Sequence, residues 1–345
     1  MIYKYKLMKN QIRKTKNDIN IGIQLLRMIF SFNIVVIHCL NKKYMNKLIY
    51  FFCFYGFYNY VPTFFLISFY FSNKSFTSKN INKLKERLLR ISIPYIIWPC
   101  IFWNKYSFIN SMKGIVNSDK YKFLFYQLII GKPFHPVFWF QFCLLFWSIC
   151  FIILIFSFKY YNNIIIIITF IILFLNLFGY TNKLFQNYNP IIQRSVKEIF
   201  LRNIYMTSGF FLGAINILDK SFIIKTKIII ISLVTSFLIK ISIFSQRLDC
   251  IKTQFIIIII FFVFSFITSN IIKNSHIIFL LKQITSFTGG IYYLHWEIKY
   301  RTMNNLLLIK KGDFITCVII YLICYIFCFI SYHICKNTRL KYLFI

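Results

Sequence analysis

The feature that most constrains this chain is its succession of long apolar runs. Ile164–Leu177 and Phe255–Ile267 are almost unbroken Ile, Phe and Leu. They cannot all be core helices of a water-soluble domain, because a soluble chain of this length would be less apolar and more charged. The chain has 345 residues, of which 59% are hydrophobic and 21% aromatic. Its mean hydropathy is +0.66. The expected fold class is all-α, a polytopic transmembrane helical bundle.

Apolar runs and polar links place about ten spans. They lie near Ile21–Leu40, Leu48–Phe71, Ile91–Trp103, Val137–Phe158, Ile164–Gly179, Asn203–Leu218, Ile228–Phe244, Phe255–Ile272, Ile284–Ile298 and Phe314–Cys335. Residues 1–20 form a basic arm with Lys4, Lys6, Lys9, Arg13, Lys14 and Lys16, and no small-residue cleavage site follows the first run. The arm and the basic stretch Asn73–Arg90 both fall on the cytoplasmic side when both termini are cytoplasmic. The whole of 1–345 reads as one domain. Gly209 and Gly213, four apart in span 6, allow a close helix contact.

The net charge of +33 is spread over every link. Together with the Lys, Asn, Ile, Phe and Tyr bias and a single alanine, Ala214, it points to an AT-rich coding background. No clustered basic face exists, so nucleic acid is not the expected partner. Membrane lipids are, through their anionic headgroups. The cysteines sit mostly inside apolar runs and form no CxxC pair or Cys/His cluster, so no metal site is expected.

Acidic residues are scarce: Asp18, Glu86, Asp119, Glu198, Asp219, Asp249, Glu297 and Asp313. Only Glu297 falls at membrane depth, which argues against ion-coupled transport. Arg27 and His38 in span 1 stand out instead. Eleven helical steps return to about the same side, with a rise of about 16 Å. Taken singly, Arg27 reads as an interfacial anchor and His38 as a satisfied buried histidine. Taken together they read as an anion clamp near one face and a general base further across, since neutral imidazole accepts a hydroxyl proton near pH 7.

Arg87 and Arg90, three apart, share a helix side and can grip phosphates. The plainer reading is a cytoplasmic anchor with Glu86 paired to Arg90. His135 precedes span 4 and lines either an outward cavity or an aromatic belt. His295 is a second polar group for the bundle interior. Glu297, two residues on, points nearly the opposite way and has Arg301 at i+4. No Gly-x-Ser-x-Gly, phosphate-binding glycine loop or His-Glu-x-x-His is present.

These residues, in this order, resemble the acyltransferase-3 family of integral membrane acyltransferases, which includes the O-acetyltransferases of bacterial surface polysaccharides. The matching pieces are Arg27-x10-His38, Pro62–Ser68, Arg87-Leu-Leu-Arg90 running on to Tyr95, Phe138-Trp-Phe140, Phe210–Gly213 and Gly290–His295. Phe69 stands where the family often has glycine, and His135 lies further from Trp139 than its usual counterpart. The resemblance implies a multi-pass protein of the bacterial cytoplasmic membrane. It would move an acyl group, usually acetyl, from cytoplasmic acyl-CoA to a hydroxyl of an extracytoplasmic or lipid-linked glycan. His38 would be the base, Arg27, Arg87 and Arg90 would hold the donor, and Ser68, His135, Trp139 and His295 would line the site. Acyl-CoA is a substrate here, and no permanently bound cofactor is implied. Two alternatives stay open: a polysaccharide exporter or flippase without acyl transfer, and an enzyme acting on a lipid headgroup.

Overall fold

The computed structural model describes residues 22–40, 56–102, 138–177, 190–214, 275–305 and 314–345. All regular structure among them is helical. In chain order the helices are α1 (Gly22–Cys39), α2 (Gly56–Thr77), α3 (Ile81–Phe102), α4 (Phe138–Ser157), α5 (Tyr161–Leu177), α6 (Pro190–Ala214), α7 (Ser275–Ser286), α8 (Thr288–Asn305) and α9 (Phe314–Cys335). A 3-10 turn follows at Arg339–Leu343. The basic arm, His135 and the spans expected at Ile228–Phe244 and Phe255–Ile272 lie outside the described residues.

Among the described residues three stretches are long and apolar enough to cross a membrane: Gly22–Cys39, Trp139–Ser157 and Phe314–Cys335. The bent pair His276–Ser286 and Thr288–Lys299 makes a fourth if it is one span. Helix α9 shows the physical signature. Ile315, Leu322, Ile326, Ile330 and Ile334 are exposed, while Thr316, Cys317, Cys324 and Cys328 are buried. A soluble helix does the reverse; this arrangement suits hydrocarbon outside and small or polar groups inside. The described residues are thus all-helical and have the apolar lengths and outward apolar face of a membrane protein.

Several boundaries differ from those expected, two of them because of charge and one because of packing. The basic stretch Asn73–Arg90 is not a loop: α2 runs on to Thr77 and α3 starts at Ile81. Lys79, with φ of 49°, ends the first helix in the left-handed region. The Asn80 Oδ1 then caps the second by accepting from Lys83 N at 3.1 Å. The exposed lysines cost nothing on a helix end in water, so polarity alone did not mark a break. Helix α6 likewise begins at Pro190, through the charged segment expected as a link, with proline at the first helical position. The single span expected at Ile284–Ile298 is instead two helices bent by 57° at the buried Phe287, which packs on Tyr325, Phe329 and Tyr332.

The chain forms two compact units. The first holds residues 1–67, 215–333 and 344–345, and the second 68–214 and 334–343. In the first, α1 buries Ile23, Leu26, Phe30 and Ile34 at helical spacing. Its Ser31 hydroxyl meets Tyr321 Oη of α9 at 3.0 Å. A Cβ on Gly290 would sit 2.6 Å from Cys328 Sγ and 2.7 Å from the Phe344 carbonyl, so only glycine lets α8 approach there. In the second unit, Phe69, Phe76, Phe151 and Phe210 form one aromatic core, with Phe151 and Phe210 stacked at 5.1 Å. Gly213 lies against Tyr70 and Asn73 of α2, where a Cβ would be 2.7 Å from both the Tyr70 carbonyl and Asn73 Cβ. That is the close contact expected from the small-residue spacing. Asn73 Nδ2 also donates to the Phe210 carbonyl at 2.9 Å.

Candidate functional site

Within the first unit, α1 and α8 lie side by side in register. Arg27 Nη2 donates to Thr288 Oγ1 at 3.0 Å, and Lys299 Nζ donates to the His38 carbonyl. Both pairs are separated by 261 positions. A constant offset at two points eleven residues apart means parallel helices that keep step over about three turns. Arg27 and His38 therefore both lie on the side of α1 that meets α8. The sequence expectation that the two share one helix face holds in the structure.

Arg27 makes two hydrogen bonds, both to neutral acceptors: Thr288, and Gln24 Oε1 at 3.3 Å. Among the described residues no carboxylate reaches it. A guanidinium carries five N–H donors, so much of this one's capacity and all of its charge remain for an anion. Thr288 is buried and donates its own hydrogen to the Thr285 carbonyl at 3.1 Å.

At the other end of the strip, the His38 ring stacks on His295 with centroids 5.2 Å apart and planes 27° apart. It also makes a T-shaped contact with the Trp296 ring, centroids 5.1 Å apart. His38 is partly exposed, whereas His295 is fully buried. His295 Nδ1 lies 3.2 Å from the Ile291 carbonyl. A carbonyl only accepts, so this bond places the proton of a neutral ring on Nδ1 and the lone pair on Nε2. Lys299 Nζ lies 5.2 Å from the Trp296 ring. Glu297 is buried at 4% exposure, and it sits on the same helix as this cluster. The result is a patch of two imidazoles, an indole and an ammonium, with a cation three turns away.

The second unit holds Arg87 and Arg90, and it gives them different surroundings. Arg87 turns inward, and its Nε donates to Ser148 Oγ at 3.3 Å. Its Nη2 donates to Ser68 Oγ at 3.3 Å. Its Nη1 donates to the Ser68 carbonyl at 3.4 Å and to Ser72 Oγ. The guanidinium also covers Phe69 at 4.9 Å and Phe76 at 5.4 Å. Phe69 thus supplies a ring face that a glycine could not. Arg90 is exposed, pairs with Glu86 at 2.6 Å and lies over Tyr342 at 5.7 Å. Ser68 is a direct acceptor for Arg87. Trp139 carries Arg202 over its ring at 5.1 Å.

Sequence reasoning missed Thr288, Lys299 and Gln24 around Arg27 and His38, and Ser72 and Ser148 around Arg87. One signal was available: Thr288 and Lys299 repeat the eleven-residue spacing of Arg27 and His38. Among the described residues no group of three or more His, Cys, Asp and Glu side chains is placed to hold a metal ion. The arrangement suits anion binding at one end and proton transfer to a neutral imidazole at the other. No family model matches the chain, and no curated protein or solved structure is found to be similar to it.

Proposed function

We propose that this protein is a membrane O-acyltransferase. It takes an acyl group, acetyl in the simplest case, from cytoplasmic acyl-CoA. It delivers that group to a hydroxyl of an extracytoplasmic or lipid-linked glycan in the bacterial cytoplasmic membrane. The bundle has about ten spans with both termini cytoplasmic. One observation carries the reading: a cation that no carboxylate among the described residues reaches and a stacked imidazole pair lie three turns apart on one helix side. That rise of about 16 Å spans the distance from the donor's charged end to a reaction centre deeper in the membrane.

The donor's cradle is Arg27 with Gln24 and Thr288, whose guanidinium keeps N–H groups for the charge-assisted bonds that phosphate groups require. The Arg87 guanidinium is already taken up by its serines. At the reaction centre the acceptor hydroxyl meets His38. Its oxygen attacks the thioester carbonyl while the imidazole takes its proton. The tetrahedral intermediate then expels the CoA thiolate, which recovers the proton from imidazolium, and the ester oxygen stays on the acceptor. Atoms and charge balance without a further reactant. His295 and Trp296 form the wall beside the His38 ring.

His38→Ala tests this directly. The variant inserts in the membrane at the wild-type level and leaves the cell-surface glycan without the acyl mass that wild type adds, read by mass spectrometry. Persistent acylation sinks the mechanism. Loss of glycan delivery to the surface, with acylation of the remaining intracellular glycan intact, favours the exporter reading instead.

A further inference from the structure

We propose that Thr288 and Lys299 are positioning residues: α8 acts as a rule that holds Arg27 and His38 at a set separation. The inference rests on the transferase reading above. The Thr288 hydroxyl has its hydrogen committed to the Thr285 carbonyl at 3.1 Å, so its lone pairs face the Arg27 guanidinium at 3.0 Å. Thr288 is 3% exposed, so water does not compete for that bond. An arginine otherwise wanders over many rotamers, and holding it costs side-chain entropy at the moment a ligand binds. Thr288 meets that cost in advance.

Lys299 does the equivalent for the base. Leu40 N closes the end of α1 on the Val36 carbonyl at 2.8 Å. The His38 carbonyl lies past that point, in the last turn of α1. The Lys299 ammonium takes it, a cation at the negative end of the helix. It thereby fixes the backbone of the very residue whose imidazole reacts. Its ammonium also lies over the Trp296 ring, the indole that His38 meets in a T-shaped contact. Neither Thr288 nor Lys299 touches the reacting atoms. Gly289 and Gly290 seat the start of α8 against residues 344–345, which keeps the rule from sliding.

The test uses the full chain in isolated membranes, with radiolabelled acetyl-CoA as donor and label retained on membrane products as the readout. Thr288→Val raises KM for acetyl-CoA about tenfold with kcat within about twofold, the effect of losing one bond to a charged group. Thr288→Ser restores KM. Lys299→Met lowers kcat about tenfold at unchanged KM, the size expected when a reacting group loses its set position. Lys299→Arg, which keeps the cap, recovers kcat. Wild-type constants in the valine and methionine variants overturn the inference, as do equal losses in the serine and arginine variants, which mean packing alone. If valine does not insert, Thr288→Ala takes its place with the same expected KM. Arg27→Met and His38→Ala run alongside. If both lose transfer while Thr288→Val and Lys299→Met keep wild-type constants, only the positioning inference falls. If neither loses transfer, the transferase reading fails and the inference with it.

Discussion

Arg27 and Arg87 are the same side chain used in two ways, one in each compact unit. Neither pairs with a carboxylate among the described residues, and both bond neutral groups. The difference is how much of each guanidinium its own unit consumes. Arg87 is gripped by Ser68, Ser72 and Ser148 and sandwiched against Phe69 and Phe76. Arg27 has only Gln24 and Thr288. A cation whose donors are already filled works first as a structural tie. A cation with open donors is the better ligand group. The lesson is that two arginines with equal charge can differ in how many of their N–H groups the fold itself consumes.

The sharpest way to break that comparison is to remove each guanidinium while keeping bulk. Arg87→Met should destabilise by about 3 kcal/mol, since three hydroxyls and a carbonyl lose a charged donor and two rings lose a cation. Arg27→Met should cost about 1 kcal/mol or less while weakening binding of acetyl-CoA. Unfolding of the purified protein by denaturant titration in detergent reads the first quantity, and donor binding reads the second. Equal stability losses would erase the distinction.

A smaller effect sharpens it within the second unit. Asn203 is fully buried, and among the described residues neither its Oδ1 nor its Nδ2 has a hydrogen-bond partner. It is the opposite of Arg87, a polar group that the unit does not satisfy. Asn203→Leu should therefore raise stability by about 1 kcal/mol, because an unmet amide pays its desolvation in full. A loss of that size would mean that a polar occupant belongs beside it. The same denaturant titration gives the sign.

The smallest change is at Arg90. Its pair with Glu86 is half exposed, with side chains 55% and 46% accessible. Such pairs add at most about 0.5 kcal/mol, so Arg90→Ala should leave unfolding almost unmoved. A drop in donor binding with unchanged stability would return Arg90 to the donor-holding role that its spacing with Arg87 suggested. No change in either would leave it as a surface ion pair.

Much of the fold was legible in the chain, wherever hydrophobicity decided the outcome. α1, α4 and α9 fall within a residue or so of the spans read at Ile21–Leu40, Val137–Phe158 and Phe314–Cys335. These helices are set by continuous apolar length, a local property. The starts of α3 and α6 and the bend at Phe287 were not legible. Charged helix ends look like loops to a hydropathy reading, and the bend depends on what Phe287 packs against. The small-residue contact at Gly213 was readable as a spacing, though its partner on α2 was not.

For the site, the sequence by itself determined that Arg27 and His38 share a side of one helix, because an eleven-residue step is set by helical geometry alone. It also determined that intramembrane carboxylates are scarce. Only the tertiary structure decided what that side faces. The pairing of Arg27 with Thr288, and of His38 with His295, Trp296 and Lys299, joins residues some 260 positions apart. It likewise decided that Arg87 is filled and Arg27 open. Periodicity is written along the chain, whereas the share of a side chain's bonds already taken depends on which distant helix packs beside it.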